Sequence, residues 1–417
     1  MTAFADPVPA AAAVMLPERA RPARLWTRTT GTAVLISAGY LDPGNWATDL
    51  AAGARFGMRL VWVVAIATVL ALFLQQLAAR LGLGSGRDLV QLLRERCSPL
   101  TRRLLTPPIL LALAITEVVE VLGVLIGVQL LTGLPASTAV LVTAALLIVV
   151  LAAPAGIGRL VVFGCLAVVS VVYLAILVRS GLGASAADLT PGALPPGGLP
   201  VALGIIGAIV MPHNLLLHST LARDLRARDA RVAADPVHAR AVLAATVRTS
   251  AVALAVALVL NCAIMSISAR ATGPAGGSET ISSAYRELAP ALGQLTSLLF
   301  AISLIAAGLA SSVTGGMAAT EAVRHLLPGL RLSPVARRLS CLVPAAAVCL
   351  CGLPEGTVLV WSQVVLSLVL PLVLFPLIRF LSDSELMGPL VLGRGTRTLA
   401  QAIATGISVL AAVAILG

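Results

Sequence analysis

The sequence predicts an all-α polytopic membrane protein: one domain of about eleven transmembrane helices. Composition is the first ground, with 59% hydrophobic and 11% charged residues, against about 25% charged in a soluble domain. The second is length, since apolar runs recur from end to end and many approach the ~20 residues that cross a bilayer core as a helix. The third is charge placement. All 29 basic positions are Arg, and they concentrate on alternate connecting segments.

The elements follow in order. Residues 1–30 are Ala/Pro-rich, then Arg-rich, and lack the basic-then-apolar order of a cleaved signal; a disordered cytoplasmic tail is expected. Residues 31–417 then form one transmembrane domain. Apolar runs place the spans at about 32–53, 60–81, 104–131, 136–153, 159–180, 200–221, 243–268, 292–318, 337–352, 357–380 and 398–416, the ninth being the shortest. If the N-terminus is cytoplasmic, 24 of the 29 Arg fall on inside segments, leaving Arg55, Arg59, Arg179, Arg270 and Arg286 outside. This bias predicts a multi-pass protein of the inner cell membrane with the N-terminus in and, after eleven crossings, the C-terminus out. The net charge of +11 thus reports topology, and a nucleic-acid partner is not expected. The six cysteines show no metal-finger spacing and read as small buried hydrophobes.

Two spans are interrupted. The first contains "SAGYLDPGNWATDLA", with Asp42 and Asn45 flanking a Pro-Gly pair; the sixth contains "AIVMPHNLLLH", broken at Pro212. One proline in a membrane helix means only a kink, because neighbours can satisfy the freed carbonyl. Two breaks, both near mid-depth and both carrying polar side chains, occupy corresponding positions if spans 1–5 and 6–10 are two halves. Five spans per half makes the second half enter from the opposite side. Repeat one would cover about 31–180, repeat two about 200–380, and 398–416 would be an extra helix. Inverted repeats with discontinuous helices build a midplane binding site, and an ionisable residue at that depth defaults to a functional role.

The chemistry gathered at the breaks is specific. Asp42 offers a carboxylate and Asn45 an amide oxygen. Pro212 has no N–H to return to the carbonyl of Ala208. Met211 offers a thioether. Oxygen alone suits Mg²⁺ or Ca²⁺, but sulfur favours softer transition metals. Mn²⁺ and Fe²⁺ fit, with Co²⁺, Zn²⁺ and Cd²⁺ as competitors. A charged site at mid-depth invites proton coupling, and His213 and His218 lie on the half-helix of Met211. Their spacing of five sets them roughly 140° apart. That excludes the one-face pair of a zinc protease, which needs a spacing of four with an intervening Glu. Glu117 and Glu120 share one face of the third span. They read either as a proton relay or as partners of a structural ion pair with Arg337 or Arg338.

These motifs together resemble the Nramp family of proton-coupled divalent metal transporters, which have a LeuT-like fold. "DPGN" and "MPHN…H" carry the resemblance, supported by "QQLAARLGLGSGRDL", "TEVVEVLG", "LNCAI", "SSVTGG" and "SQVVLSLVLPLVLFPL". The resemblance implies that Asp42, Asn45, the Ala208 carbonyl and Met211 hold the metal and that Gln363 approaches it. It implies a proton network of His213, Glu117 and Glu120, extended here to His218 and to the arginine pair Arg337 and Arg338, and places Asn261 near the pathway. The sequence departs from the family pattern at Leu216, Leu309 and Val369, where polar residues are usual, and at Glu117, where aspartate is usual. The family's Mg²⁺-transporting relatives lack the methionine, so Met211 argues against that branch. The expectation is a secondary active importer of Mn²⁺ or Fe²⁺, coupled to proton entry, with lipid, metal and proton as its partners. It has no prosthetic group, no obligatory protein partner and no catalytic residues. The alternative is a symporter of an organic solute such as an amino acid, in which helix N-termini would hold a substrate carboxylate; Asp42 opposes an anionic substrate. "GLGSGR" follows a membrane helix rather than a strand and reads as a turn, not a nucleotide loop.

Overall fold

The computed structural model describes residues 39–416 apart from positions 41, 153–154, 182, 186–187, 189, 272–280, 283–284, 287–289, 291–292 and 331–332. The expected N-terminal tail and positions 32–38 and 41 of the expected first span lie outside the described residues. Among the described residues the chain is helical, without strands.

Each expected span has a helical counterpart. They are Pro43–Phe56, Val61–Ser85, Pro99–Thr132, Ala136–Ala152, Ala155–Ser180, the pair Gly198–Val210 and Pro212–Arg228, Pro236–Ala271, Gln294–Leu326, the pair Pro334–Ser340 and Leu342–Leu350, Glu355–Leu381 and Arg394–Leu416. Among the described residues, eight helices meet the length and hydropathy needed to cross a membrane. The ninth span is divided at Cys341 into two short helices. Apolar limits understate several helices, because polar turns extend beyond the bilayer core: the seventh starts at Pro236 rather than near 243.

Local sequence explains where helices begin. Asp42 is extended and accepts the Asn45 N–H at 2.8 Å, with Pro43 in the first turn; this is an N-cap followed by the residue that needs no N–H partner. Asp88 and Gln91 form a reciprocal capping box at Leu89–Arg96. Ser98 caps the third span ahead of Pro99, and left-handed Gly133 ends it.

The packing is reciprocal. The first span packs along the seventh, and the sixth packs along the second. Exchanging 1 with 6 and 2 with 7 maps one pair onto the other, as two repeats of like fold require. The third and eighth spans pair with each other. Small residues allow that approach: a side chain at Gly127 would meet Ile305 and one at Gly308 Val124, while Gly123 makes room for Pro43 of the first span. Close backbone contact of this kind is how helices associate in lipid, where hydrophobicity alone gives no preference for protein over acyl chain.

Candidate metal centre

Both interruptions survive folding as distinct geometries. At the first, Asp42 becomes the cap of a new helix. Its Oδ1 takes the Asn45 N–H, and the Asn45 side-chain amide donates to the Tyr40 carbonyl. At the second, Met211 separates two helices. Its φ of 43° is the only positive φ of a non-glycine among the described residues. A bulky side chain in that region carries a steric cost of about 1–2 kcal/mol, which identifies the position as one where the surrounding structure dictates the backbone.

The tenth span joins the two. Gly44 has no side chain where the Gln363 amide lies, and a Cβ there would also come within 3.0 Å of Asp42 Oδ2. Gly207, on the sixth span, faces the Gln363 carbonyl in the same way. Gln363 is therefore wedged between the breaks. The other side of the junction is closed by Asn214, which donates to Met211 Sδ at 3.4 Å and occupies the space a side chain at Gly39 would need. Asp42, Asn45, Ala208, Met211 and Gln363 are all buried, at 1% exposure or less.

What these groups lack is informative. Asp42 Oδ2, Asn45 Oδ1, Gln363 Oε1 and Asn214 Oδ1 are buried without a hydrogen-bond partner among the described residues. Buried polar atoms are ordinarily paired, and an unpaired one costs about 1–3 kcal/mol, more if charged. Four unpaired oxygens around the two breaks, one of them a carboxylate's, form a donor set without an internal cation. Oxygen donors beside a thioether suit a divalent transition metal.

The remaining expected residues fall into separate groups. His213 faces the third span, its Nδ1 3.4 Å from Thr116 Oγ1. His218 faces the second span, its Nδ1 2.6 Å from Gln75 Oε1. The 140° separation thus points the two imidazoles at different neighbours. Glu117 is paired: Arg337 Nε donates to its two oxygens at 3.1 and 3.3 Å, and Arg337 also binds the Gly316 carbonyl and Thr320. Glu120 packs against Gly315 of the eighth span. The Arg338 side chain lies outside what is described. Asn261 is buried in the seventh span with Oδ1 unpartnered.

Sequence reasoning gave Asn214 no role beyond its place beside the second break, and passed over Gln75, Thr116 and Asp49. The first three sit beside expected residues, within "MPHN", "QQL" and "ITEV", and polar side chains in apolar runs were the available signal. One further cluster invites a metal reading: ligand atoms of Asp88, Glu321 and His325 lie within 4.8 Å of one another. Its positive charge is already supplied, since Arg223 pairs with both carboxylates and Arg324 with Glu321.

Two interrupted spans around unpaired buried oxygens, in a helical membrane bundle with reciprocal packing, define a membrane transporter of the LeuT-like fold. Comparison with known proteins narrows this. Residues 33–417 match the family model described as Natural resistance-associated macrophage protein-like, and the chain belongs to that family, Nramp. It is 38% identical over 409 residues to "Divalent metal cation transporter MntH 1" of Pseudomonas aeruginosa, covering 94% of this chain and 91% of that protein. It is 36% identical over 384 residues to "Divalent metal cation transporter MntH" of Deinococcus radiodurans, covering 90% and 86%. Its fold is similar to that of the Eremococcus coleocola manganese transporter, crystallised with an aromatic bis-isothiourea substituted compound. The TM-score is 0.79 at 26% identity, over 96% of this chain and 88% of that one. A nucleobase-cation-symport-1 family transporter shares the fold alone, with a TM-score of 0.54 at 16% identity. The chain is thus a multi-pass membrane protein of a divalent metal cation transporter family, and its relatives are named as transporters rather than enzymes.

Proposed function

We propose that this protein imports Mn²⁺ or Fe²⁺ across the inner cell membrane together with a proton, by alternating access about the paired breaks. The observation that carries this reading is the set of unpaired buried oxygens on Asp42, Asn45 and Gln363, assembled beside Met211. The ion enters from outside, exchanges much of its water for these oxygens, the Ala208 carbonyl and the Met211 sulfur, and leaves when the first and sixth spans rock with their neighbours. A hard carboxylate supplies charge, and the thioether disfavours Ca²⁺ and Mg²⁺. Co²⁺, Zn²⁺ and Cd²⁺ fit the same donors. Residues 31–417 act as one transport domain, in the N-in orientation that the arginine distribution supports.

Proton entry runs by way of Asp42, His213 and the third-span glutamates. His213 touches the third span one residue from Glu117, and the Glu117–Arg337 pair ties that span to the ninth. His218 and Arg338 complete the network, and Asn261 lines the path. An organic-solute symporter on this architecture is disfavoured by the Asp42 carboxylate at the break, where an anionic substrate would be repelled.

The test is Mn²⁺ uptake into proteoliposomes with and without an inward proton gradient, for the wild type and Asp42→Ala. Uptake that requires Asp42, resists excess Ca²⁺ and rises with the gradient is expected. Well-folded wild-type protein that moves no Mn²⁺ would overturn the substrate, and uptake indifferent to the gradient would overturn the coupling.

A further inference from the structure

We propose that Asp49 forms a second cation station in series with the first, which takes the divalent metal before or after Asp42 on the Phe56 side of the break. This rests on the metal-transport reading above.

The geometry follows from the helix that Asp42 caps. Asp42, Asn45 and Asp49 are spaced three and four residues apart. Four residues apart on the helix, Asn45 and Asp49 share a face, and Asp42 caps the helix at the Asn45 N–H, so Asn45 stands between the carboxylates.

Asp49 is 1% exposed, its Oδ2 has no hydrogen-bond partner, and no ion pair reaches it among the described residues. Its nearest chain neighbours on this face include Trp46, which stacks edge-on against Tyr173 at 5.0 Å. The seventh span lies alongside, tied by the Ser268 hydroxyl to the Leu50 carbonyl at 2.7 Å. That span brings the buried Cys262 within electrostatic reach of Asp49 and carries Asn261, whose Oδ1 is also unpartnered. Along the helix Asp42, of the same sign, lies seven residues before Asp49, and Arg55 lies six residues after it in the last turn; the two carboxylates act on each other.

An ionised carboxylate so placed is penalised by several kcal/mol unless a cation is brought to it, and an apolar residue would pack the helix at no such penalty. Asp42 alone makes a trap; a second carboxylate further along the helix makes a path, because mutual repulsion between two bound ions lets each station release.

The experiment is Mn²⁺ titration calorimetry on the purified full chain, paired with uptake measured across Mn²⁺ concentrations, for wild type, Asp49→Asn, Asp49→Glu and Asp42→Asn. Wild type should bind two ions per chain in separable phases. Asp49→Asn should lose one phase and raise KM about tenfold, which is a loss of roughly 1.4 kcal/mol in binding, and Asp49→Glu should restore both. Asp42→Asn should keep the Asp49 phase while uptake disappears. A single wild-type phase, or two phases surviving in Asp49→Asn, would overturn the proposal. So would an Asp49→Asn effect confined to the pH dependence of uptake, which would mark Asp49 as a proton carrier. The wild-type stoichiometry decides the matter even where a variant fails to fold. Absence of any Mn²⁺ binding by the wild type would instead sink the metal-transport reading.

Discussion

Two buried acidic regions of this molecule are built on opposite terms. At the breaks, Asp42, Asn45 and Gln363 keep oxygens that no described group satisfies. At the third span, Glu117 is held by both a charged and a well-oriented partner in Arg337, itself bound to Gly316 and Thr320. The contrast teaches how to separate a site that receives a cation from one that supplies its own. Burial and carboxylates are common to both, and only the accounting of partners distinguishes them. A site that must fill and empty leaves its donors unfilled; a junction that must hold spans together neutralises itself internally.

The sharpest way to break the comparison is Asp42→Asn. It keeps the cap and the shape but removes the charge, and Mn²⁺ uptake should fall by at least about tenfold, at 1.4 kcal/mol per decade, with no loss of thermal stability in detergent. Unchanged uptake would mean the unpaired oxygens are not the trap. Next in size is Glu117→Gln. Stranding a buried Arg337, whose side chain is 13% exposed, should cost about 3–5 kcal/mol of stability. Replacing both partners with Leu and Met should recover most of it. If the single variant melts like wild type, the pair is not the internally neutralised junction described.

A subtler probe is Gly44→Ala, which drives a methyl into the Gln363 amide. It should raise the KM for Mn²⁺ with little change in fold, and an unchanged KM would place Gln363 outside the site. Met211→Gly removes the sulfur and relieves the positive φ, but the relief of about 1 kcal/mol is outweighed by about 2–5 kcal/mol for emptying a fully buried site, so stability should fall while discrimination against Ca²⁺ declines. Retained discrimination would remove the thioether from the ligand set.

The smallest effect tests the paired type outside the membrane. Asp229, just beyond the sixth span, is held well below the usual carboxylate range, chiefly by hydrogen bonds from the Arg231 guanidinium, with His238 adding to it. Because its folded value is depressed, the unfolded chain binds the proton first as pH falls. The contribution is present in full above the unfolded value, about 4, and is lost as pH drops below it. With Arg231 46% exposed, it should amount to no more than about 1 kcal/mol. Asp229→Asn should flatten that acid limb of the melting curve, and a limb identical to wild type would assign it elsewhere.

Much of this was legible in the residues. Apolar length marked every span, since crossing a bilayer demands it of each segment separately, and the ninth, shortest in sequence, folds as two short helices. The broken spans were legible because proline and a carboxylate are costly at depth and stand out against an apolar background. Partners were not. Nothing near Glu117 in the chain indicates that Arg337 lies against it, and Asp49, reading as one more polar residue after "DPGN", gave no sign of being unpartnered.

The sequence by itself therefore determined the membrane class, the spans, the two breaks and the donor types, because each follows from local chemistry: transfer free energy, helix capping and the missing N–H of proline. Only the tertiary structure decided that Gln363 from the tenth span wedges against both Gly44 and Gly207, that His213 and His218 face different neighbours, and which buried oxygens were left over. Satisfaction of a polar group depends on residues hundreds of positions away, and that pairing is settled only when the helices pack.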